Sequence, residues 1–176
     1  MQMPRTKLVV PEHFSFTTEI PVRITDINYG GHVGNDSILS ILHESREQFL
    51  RSHDYKEMDL AGVGLIMSDV TIEFKNELFY GDTLRASVTA CEFYRVGFDL
   101  FYKLEKKVGD KNVREMHDPK NSASPANPLM SVLPDEPPSA AKWITVSTAR
   151  TGMVCYDYTL KKLAAVPKEV ITKLLS

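Results

Sequence analysis

The sequence predicts an α+β fold in which an antiparallel sheet of about five strands wraps around one long central helix. Two observations lead to this prediction. Most apolar residues recur with a period of two, which is typical of half-buried strands. One long segment, which follows Asn35 or Asp36 and ends near Ser52, has instead the apolar stripe of an amphipathic helix. A single helix suffices to cover one face of one sheet, so we expect a single domain over residues 1–176.

The first strand and the long helix are neighbours in the chain. From Phe14 to Ile24 the apolar residues share one parity and the polar residues the other, which predicts a strand. Asn35 or Asp36 is expected to cap the helix, because a side-chain oxygen there can accept from free backbone N–H groups. The helix is expected to end near Ser52. The helical positions that fall on one face are Ile38, Ile41, Leu42, Ser45 and Phe49.

Alternating patterns return after the helix and predict the remaining strands. These strands are Ile66–Phe74, Leu84–Ala90, Phe98–Leu104 and Trp143–Tyr158, and a short helix follows over Pro167–Leu174. Residues 107–142 interrupt the pattern with six of the ten prolines of the chain. Because proline opposes both a helix interior and a central strand, we expect a flexible insertion there, outside the core.

Composition and charge exclude several classes of function. A net charge of -2 provides no basic footprint for nucleic acid. No run approaches the roughly 18 apolar residues of a membrane span. The two cysteines have no metal or redox spacing and suit a reducing compartment, so a cytoplasmic location is expected. The five histidines show no metal-ligand spacing and no glycine-rich phosphate loop follows a strand, so no cofactor is indicated.

Polar residues and glycines crowd into the turn between the first strand and the helix. The stretch from Arg23 to Arg46 reads RITDINYGGHVGNDSILSILHESR. The N-terminus of a helix offers free N–H groups and a positive dipole end, which suit a carbonyl oxygen that becomes an oxyanion. Glycines allow the backbone to approach a ligand closely, and His32 can donate to a carbonyl or activate water near neutral pH.

This stretch resembles the signature of the 4-hydroxybenzoyl-CoA thioesterase-like family of acyl-CoA thioesterases, which have the hotdog fold. The segment from Asp26 to Asn35 is similar to the family pattern Asp-x-Asp-x-x-Gly-His-Val-Asn-Asn. Glu44-Ser45-Arg46 and Tyr80-Gly81-Asp82 are similar to two further family elements. The resemblance implies hydrolysis of an acyl thioester by activated water, with the oxyanion held at the start of the helix. It also implies an acyl-CoA substrate, no cofactor, and a homodimer or homotetramer.

The chain departs from the family pattern at the second acid, where it has Asn28. An asparagine cannot take up a proton as a carboxylate does, although its amide can orient water. The candidate catalytic residues are therefore Asp26 or Glu44 as a displaced base, with Asn28 and His32 as polar partners. The candidate substrate-binding residues are Gly31, Val33, Gly34 and Asn35.

Each candidate also has a structural interpretation. Asp26 can bond loop amides as in an Asx turn. Asn35 can be a helix cap with no role in catalysis. Glu44 lies off the apolar face of the helix, where a solvated charge is the default. The missing acid at Asn28 therefore leaves a second function class open, a non-catalytic acyl-CoA-binding hotdog protein. A dehydratase of the same fold is less well supported, because we find no second acid–histidine pairing.

Overall fold

The computed structural model describes residues 7–108 and 142–175. The elements in chain order are β1 (Phe16–Pro21), α1 (Asn35–Ser52), β2 (Gly64–Phe74), β3 (Thr83–Tyr94), β4 (Gly97–Val108), β5 (Lys142–Asp157), β6 (Lys162–Leu163) and α2 (Lys168–Leu174). A short 3-10 turn, Ile24–Asp26, lies between β1 and α1. None of the helices within these residues is long and apolar enough to cross a membrane.

The strands form one antiparallel sheet in the order β1-β3-β4-β5-β2. The predicted α+β class and the long helix beside an antiparallel sheet are confirmed. The sheet has six strands rather than about five, because the two-residue strand β6 pairs with β5. Such a short strand leaves no periodic pattern to detect. Tyr94 pairs with Gly97, so Arg95 and Val96 form a tight turn between β3 and β4.

Helix α1 packs its predicted face into the core. Ile38, Ile41, Leu42 and Phe49 are buried, and the helix ends at Ser52 as expected. Removing a side chain of this size from water stabilises the fold by about 1.5–3 kcal/mol. The buried sheet residues that complete this core include Leu84, Ala86, Val88, Leu100, Tyr102, Leu104, Ala149 and Met153. Burial of this face fixes α1 against the sheet and therefore fixes where its N-terminus lies.

The chain leaves the sheet earlier than the sequence pattern predicts. A strand was expected to continue to Ile24, but β1 ends at Pro21, which has no N–H to donate. Val22 still donates its N–H to the carbonyl of Asp82 at 2.9 Å. The chain then turns through Ile24–Asp26, where the Asp26 carboxylate accepts the backbone N–H of Arg23 at 2.8 Å. A local side-chain bond thus overrides the alternating pattern.

The predicted cap of α1 is wrong. Gly34 is the N-cap residue, in an extended conformation with φ -70° and ψ 156°, and no side-chain oxygen of the described structure caps the helix. A cap at Asn35 would make Asp36 the first helical residue, but the helix begins at Asn35. Asn35 and Asp36 therefore lie inside its first turn. Neither residue occupies the N-cap position, from which a side-chain oxygen accepts the N–H of the second or third helical residue.

The ends of the predicted insertion belong to the sheet. Lys107 pairs with Trp143 and Val108 with Lys142, which extends β4 and β5 into the range 107–142. The rest of the predicted insertion, residues 109–141, lies outside the described part of the chain.

Candidate active site

Backbone hydrogen bonds hold the turn between β1 and α1 in a defined shape. Asn28 N–H donates to the carbonyl of His32 at 2.9 Å, and Gly34 N–H donates to the carbonyl of Asp26 at 3.0 Å. Val33 N–H donates outward, to the carbonyl of Leu78 at 2.9 Å. The last bond attaches the turn to the segment between β2 and β3. The two segments therefore lie side by side at the N-terminus of α1.

The carboxylate of Asp26, a candidate base, makes contacts that stabilise the local backbone. The residue is 4% exposed, and its two carboxylate oxygens accept from Arg23 Nε at 3.2 Å and Nη2 at 3.0 Å. The hydrogen bond and the charge of Asp26 raise the pKa of the Arg23 guanidinium above its ordinary value. Together with the backbone bond from Arg23, these contacts make Asp26 the clamp of the 3-10 turn.

Asn28 and His32 contact each other directly. Asn28 Oδ1 accepts the N–H of Gly30 at 2.8 Å, which fixes the amide with its Nδ2 toward His32 Nδ1, 3.3 Å away. The same Nδ1 lies 3.2 Å from the carbonyl oxygen of Val33. One nitrogen cannot accept from Asn28 and donate to Val33 at once, so the two contacts favour different tautomers. The Asn28 bond selects the tautomer with a proton on Nε2.

The glycines of the turn serve the protein's own side chains. A Cβ on Gly30 would lie 2.9 Å from His32 Nε2, so only glycine leaves room for the imidazole. Gly31 has φ +79°, in the left-handed region that glycine adopts readily. Gly34 abuts the carboxyl group of Asp36 and the Cβ of Asn28. At Gly30 the missing Cβ therefore makes room for the His32 ring.

A cavity of about 240 Å³ opens beside His32, at the N-terminus of α1. We call it the site cavity. Three predicted site residues, His32, Val33 and Asn35, line it. Its other lining residues are Ile38, Phe74, Lys75, Asn76, Glu77, Leu78 and Val146. The first-turn N–H groups of α1 have no partner within the helix, and no side chain within residues 7–108 and 142–175 caps them, so the start of α1 brings backbone donors to this corner of the cavity.

Glu44 lies elsewhere. Its carboxylate accepts from Gln48 Nε2 at 2.7 Å on the exposed side of α1. There it lines a second, larger groove of about 710 Å³, with Arg23, Arg51 and other residues of β1 and α1. We call this the α1–β1 groove. Asp26 and Glu44 thus do not line the cavity that contains His32, and neither do Asn28, Gly31 and Gly34.

Sequence reasoning missed the half of the site cavity that the end of β2 and the following segment provide. Phe74 is 52% exposed, and Glu77 adds a carboxylate to the wall. The sequence shows these residues only as the end of a strand and a turn. Their place beside His32 depends on the bond between Val33 and Leu78, which joins segments far apart in the chain.

One cluster of side chains has the donor set of a metal site. Ligand atoms of His43, Glu47 and Glu57 lie within 4.8 Å of one another. However, Glu57 already accepts from the buried Arg46 and lies 3.0 Å from His43, while Glu47 pairs with Arg51 at 3.5 Å. The nearby guanidinium groups compensate the carboxylate charge, so the cluster is better described as an ion-pair network that anchors Glu57 to α1.

The chain belongs to the thioesterase-like superfamily, whose family model matches residues 22–174. This match and the fold confirm the resemblance to hotdog thioesterases that the turn sequence indicated. A search among curated proteins finds no matching relative.

Solved structures of similar fold cover nearly the whole chain. A 1,4-dihydroxy-2-naphthoyl-CoA thioesterase from Synechocystis is 20% identical, with 92% of this chain and 96% of that chain covered and a TM-score of 0.64. A thioesterase superfamily protein from Jannaschia is 13% identical, with coverage of 94% and 84% and a TM-score of 0.68. A mutant 4-hydroxybenzoyl-CoA thioesterase complexed with 4-hydroxybenzoyl-CoA is 14% identical, with coverage of 90% and 97% and a TM-score of 0.65.

Proposed function

We propose that the protein is an acyl-CoA thioesterase that hydrolyses its substrate in the site cavity. The observation that carries this proposal is the meeting of His32 with the uncapped first turn of α1 around one cavity. Both provide hydrogen-bond donors at one end of the cavity. Hydrolysis of a thioester builds negative charge on the carbonyl oxygen, and preorganised donors stabilise that charge in the transition state.

His32 supplies one donor in this mechanism. In the tautomer that Asn28 selects, Nδ1 accepts the amide N–H of Asn28 and Nε2 carries the proton. That proton is donated to the thioester oxygen, together with N–H groups of the first turn of α1. Val33 and Asn35 line the same space and contact the acyl group or the thioester, while Gly34 as N-cap directs the first turn toward it.

Acyl-CoA is the proposed substrate class because similar structures are described as acting on or holding CoA thioesters. They include the 1,4-dihydroxy-2-naphthoyl-CoA thioesterase and a gentisyl-coenzyme A thioesterase. The complexed 4-hydroxybenzoyl-CoA thioesterase is an aspartate-to-asparagine mutant. In that fold an asparagine in place of an aspartate is compatible with a bound CoA thioester, which bears on the asparagine at position 28.

A second copy of the chain is proposed to complete the pocket. The site cavity, at about 240 Å³, is below the usual range of about 300–1,000 Å³ for small-molecule sites. Phe74 belongs both to the cavity wall and to β2, which ends the described sheet on one side. An unpaired edge strand favours association with another strand, so pairing of β2 with the β2 of a second copy encloses the acyl chain at the interface.

A non-catalytic acyl-CoA-binding protein is the second candidate. Asn28 favours it, because the amide cannot take a proton from water. In this case His32 and the α1 N–H groups bind the thioester carbonyl without promoting attack on it.

Thiol release from a panel of aromatic and aliphatic acyl-CoAs tests the proposal, with binding of each compound measured in parallel. The proposed thioesterase turns over at least one compound and shows saturation. Binding without turnover across the panel contradicts the enzyme and favours the second candidate. Absence of both binding and turnover contradicts each of them.

A further inference from the structure

We propose that Glu77 is the general base of this hydrolysis, in the role that a carboxylate at position 28 has in the family pattern. This inference rests on the proposed thioesterase function. Hydrolysis in the site cavity needs a group that removes a proton from water, and the amide of Asn28 cannot do so. Within the described residues, Glu77 is the carboxylate that lines the cavity containing His32.

The backbone brings Glu77 to the start of α1. Val33 N–H donates to the carbonyl of Leu78 at 2.9 Å, so the residue after His32 and the residue after Glu77 are bonded to each other. Both segments face the same cavity, together with Asn35 of the first helical turn. A water between His32 and Glu77 is therefore next to the donors that would hold the thioester oxygen.

The segment that carries Glu77 is held from both sides. The N–H groups of Lys75 and Asn76 donate to the carbonyl of Val146 at 2.8 and 3.0 Å. Asn76 Nδ2 donates to the carbonyl of Thr145 at 2.7 Å. With the bond between Val33 and Leu78 on the far side, the backbone of Glu77 is fixed between β5 and the turn. A fixed backbone keeps a catalytic side chain near its working geometry.

The other described carboxylates near the turn, including Asp36, do not line the site cavity. Both oxygens of Asp26 are bonded to Arg23, and the side chain is buried away from the site cavity. Glu44 bonds Gln48 and lines the α1–β1 groove.

The proposed step is balanced as a simple hydrolysis. The Glu77 carboxylate accepts one proton from a water molecule while the water oxygen bonds to the thioester carbon. The carbonyl oxygen becomes an oxyanion that His32 Nε2–H and the first-turn N–H groups of α1 stabilise. When the oxyanion collapses, the carbon–sulfur bond breaks and the proton held by Glu77 passes to the leaving thiolate. The products are a carboxylic acid and a thiol.

The test compares E77Q and E77D with E73Q. Glu73 is a control near the same segment that does not itself line the site cavity, and a glutamine there can still accept the N–H of Leu8. E73Q also removes the 3.9 Å ion pair with Lys75 of the cavity wall, so it reports the effect of losing a nearby carboxylate charge alone. We expect E77Q to lower kcat on the best acyl-CoA by about 10²–10⁴, the usual contribution of a general base. KM and binding of a non-hydrolysable thioether analogue stay near those of the wild type. E77D, which keeps a carboxylate, is expected to be intermediate, and E73Q equal to the wild type.

Three results overturn the inference in different ways. A wild type that hydrolyses acyl-CoA and an E77Q of equal kcat leave the proposed function intact and exclude Glu77 as base. An E77Q that loses turnover and analogue binding together, with an unchanged circular dichroism spectrum, makes Glu77 a binding residue instead. A wild type without activity on the whole panel contradicts the proposed function, and the base assignment with it.

Discussion

His32 is positioned by three local features of the turn. Asn28 and the Val33 carbonyl both contact its Nδ1, and the absence of a Cβ at Gly30 makes room for its ring. The room left by Gly30 lies beside Nε2 itself. His32 also lines the site cavity, as expected of a donor that a protein holds ready for a ligand.

His32→Ala is expected to lower kcat on the best acyl-CoA by about 10²–10³, because one donor to the developing oxyanion is lost. The free energy of unfolding should change little, since the side chain is only half-buried. Steady-state thiol release and urea unfolding measure the two quantities. Equal kcat in the variant and the wild type would exclude His32 as an oxyanion donor.

Variants at Asn28 test how the imidazole of His32 is oriented. Asn28→Leu removes the bond to Nδ1 and is expected to lower kcat about tenfold, the equivalent of one modest hydrogen bond. Asn28→Asp is expected to keep or raise kcat below neutral pH, because a carboxylate there stabilises an imidazolium whose Nε2–H still donates. The measurement is kcat of both variants at about pH 6. A leucine variant that outperforms the aspartate variant contradicts this role.

The sequence identifies the polar turn, but it does not show the role of each residue within it. The spacing of Asp26, Asn28 and His32 marks a polar turn before a helix. It does not show that Asp26 clamps Arg23, since that depends on side-chain direction within the 3-10 turn. Nor does it bring in Glu77, whose place depends on a bond between distant segments.

Secondary-structure elements follow the apolar period closely where one face is buried. The predicted α1, β3 and β4 are all present because their inward residues are almost all apolar, although β3 and β4 each continue four residues beyond the predicted end. The predicted and observed ends of elements differ, because single hydrogen bonds or caps determine where an element begins or ends. The clamp of Asp26 stops the first strand, and the Gly34 cap starts α1 earlier than a side-chain cap would.

Strand β5 carries a buried thiol with a consequence for stability. Burial raises the pKa of Cys155 from 9.0 to about 11. The folded protein therefore keeps the proton that the unfolded chain releases. The stabilisation is complete below the unfolded pKa, falls as pH rises above it, and stops falling above the folded value.

Cys155→Ala isolates this effect. Between about pH 8 and pH 10 the wild type is expected to lose about 1 kcal/mol more of its free energy of unfolding than the variant. Tyr102, whose pKa burial also raises, titrates equally in both proteins and cancels in the comparison. Urea unfolding at the two pH values measures the difference. Parallel pH dependence in the two proteins would show that Cys155 does not titrate differently on folding.

The whole molecule offers one long edge for association. Strand β2 pairs with β5 on one side, and the described structure covers its other side with no strand. Val70 and Phe74 on this strand are 37% and 52% exposed. An exposed edge with apolar residues favours pairing with a second copy, in which the two edges lie antiparallel.

Val70→Glu is expected to convert the proposed dimer to a monomer, because like charges meet where the two edges pair. Val9→Glu is the matched control, since Val9 is 83% exposed and lies outside the sheet. Light scattering at micromolar concentration measures the mass. A wild type that is already monomeric, or a Val70→Glu dimer, contradicts pairing through β2.

We expect the thioester to be cleaved in the site cavity rather than in the larger α1–β1 groove. Asn35 and Ser40 are exposed residues of the same helix, and each lines one of the two spaces. A tryptophan at either position fills the space beside it at similar cost to the helix.

The most direct measurement is therefore kcat/KM for Asn35→Trp and Ser40→Trp on the best acyl-CoA. We expect Asn35→Trp to lose at least about 10²-fold, because the indole displaces the thioester from the donors of His32 and α1. Ser40→Trp should stay within a few-fold of the wild type. Full activity of Asn35→Trp together with loss in Ser40→Trp would contradict the account and place the chemistry in the α1–β1 groove.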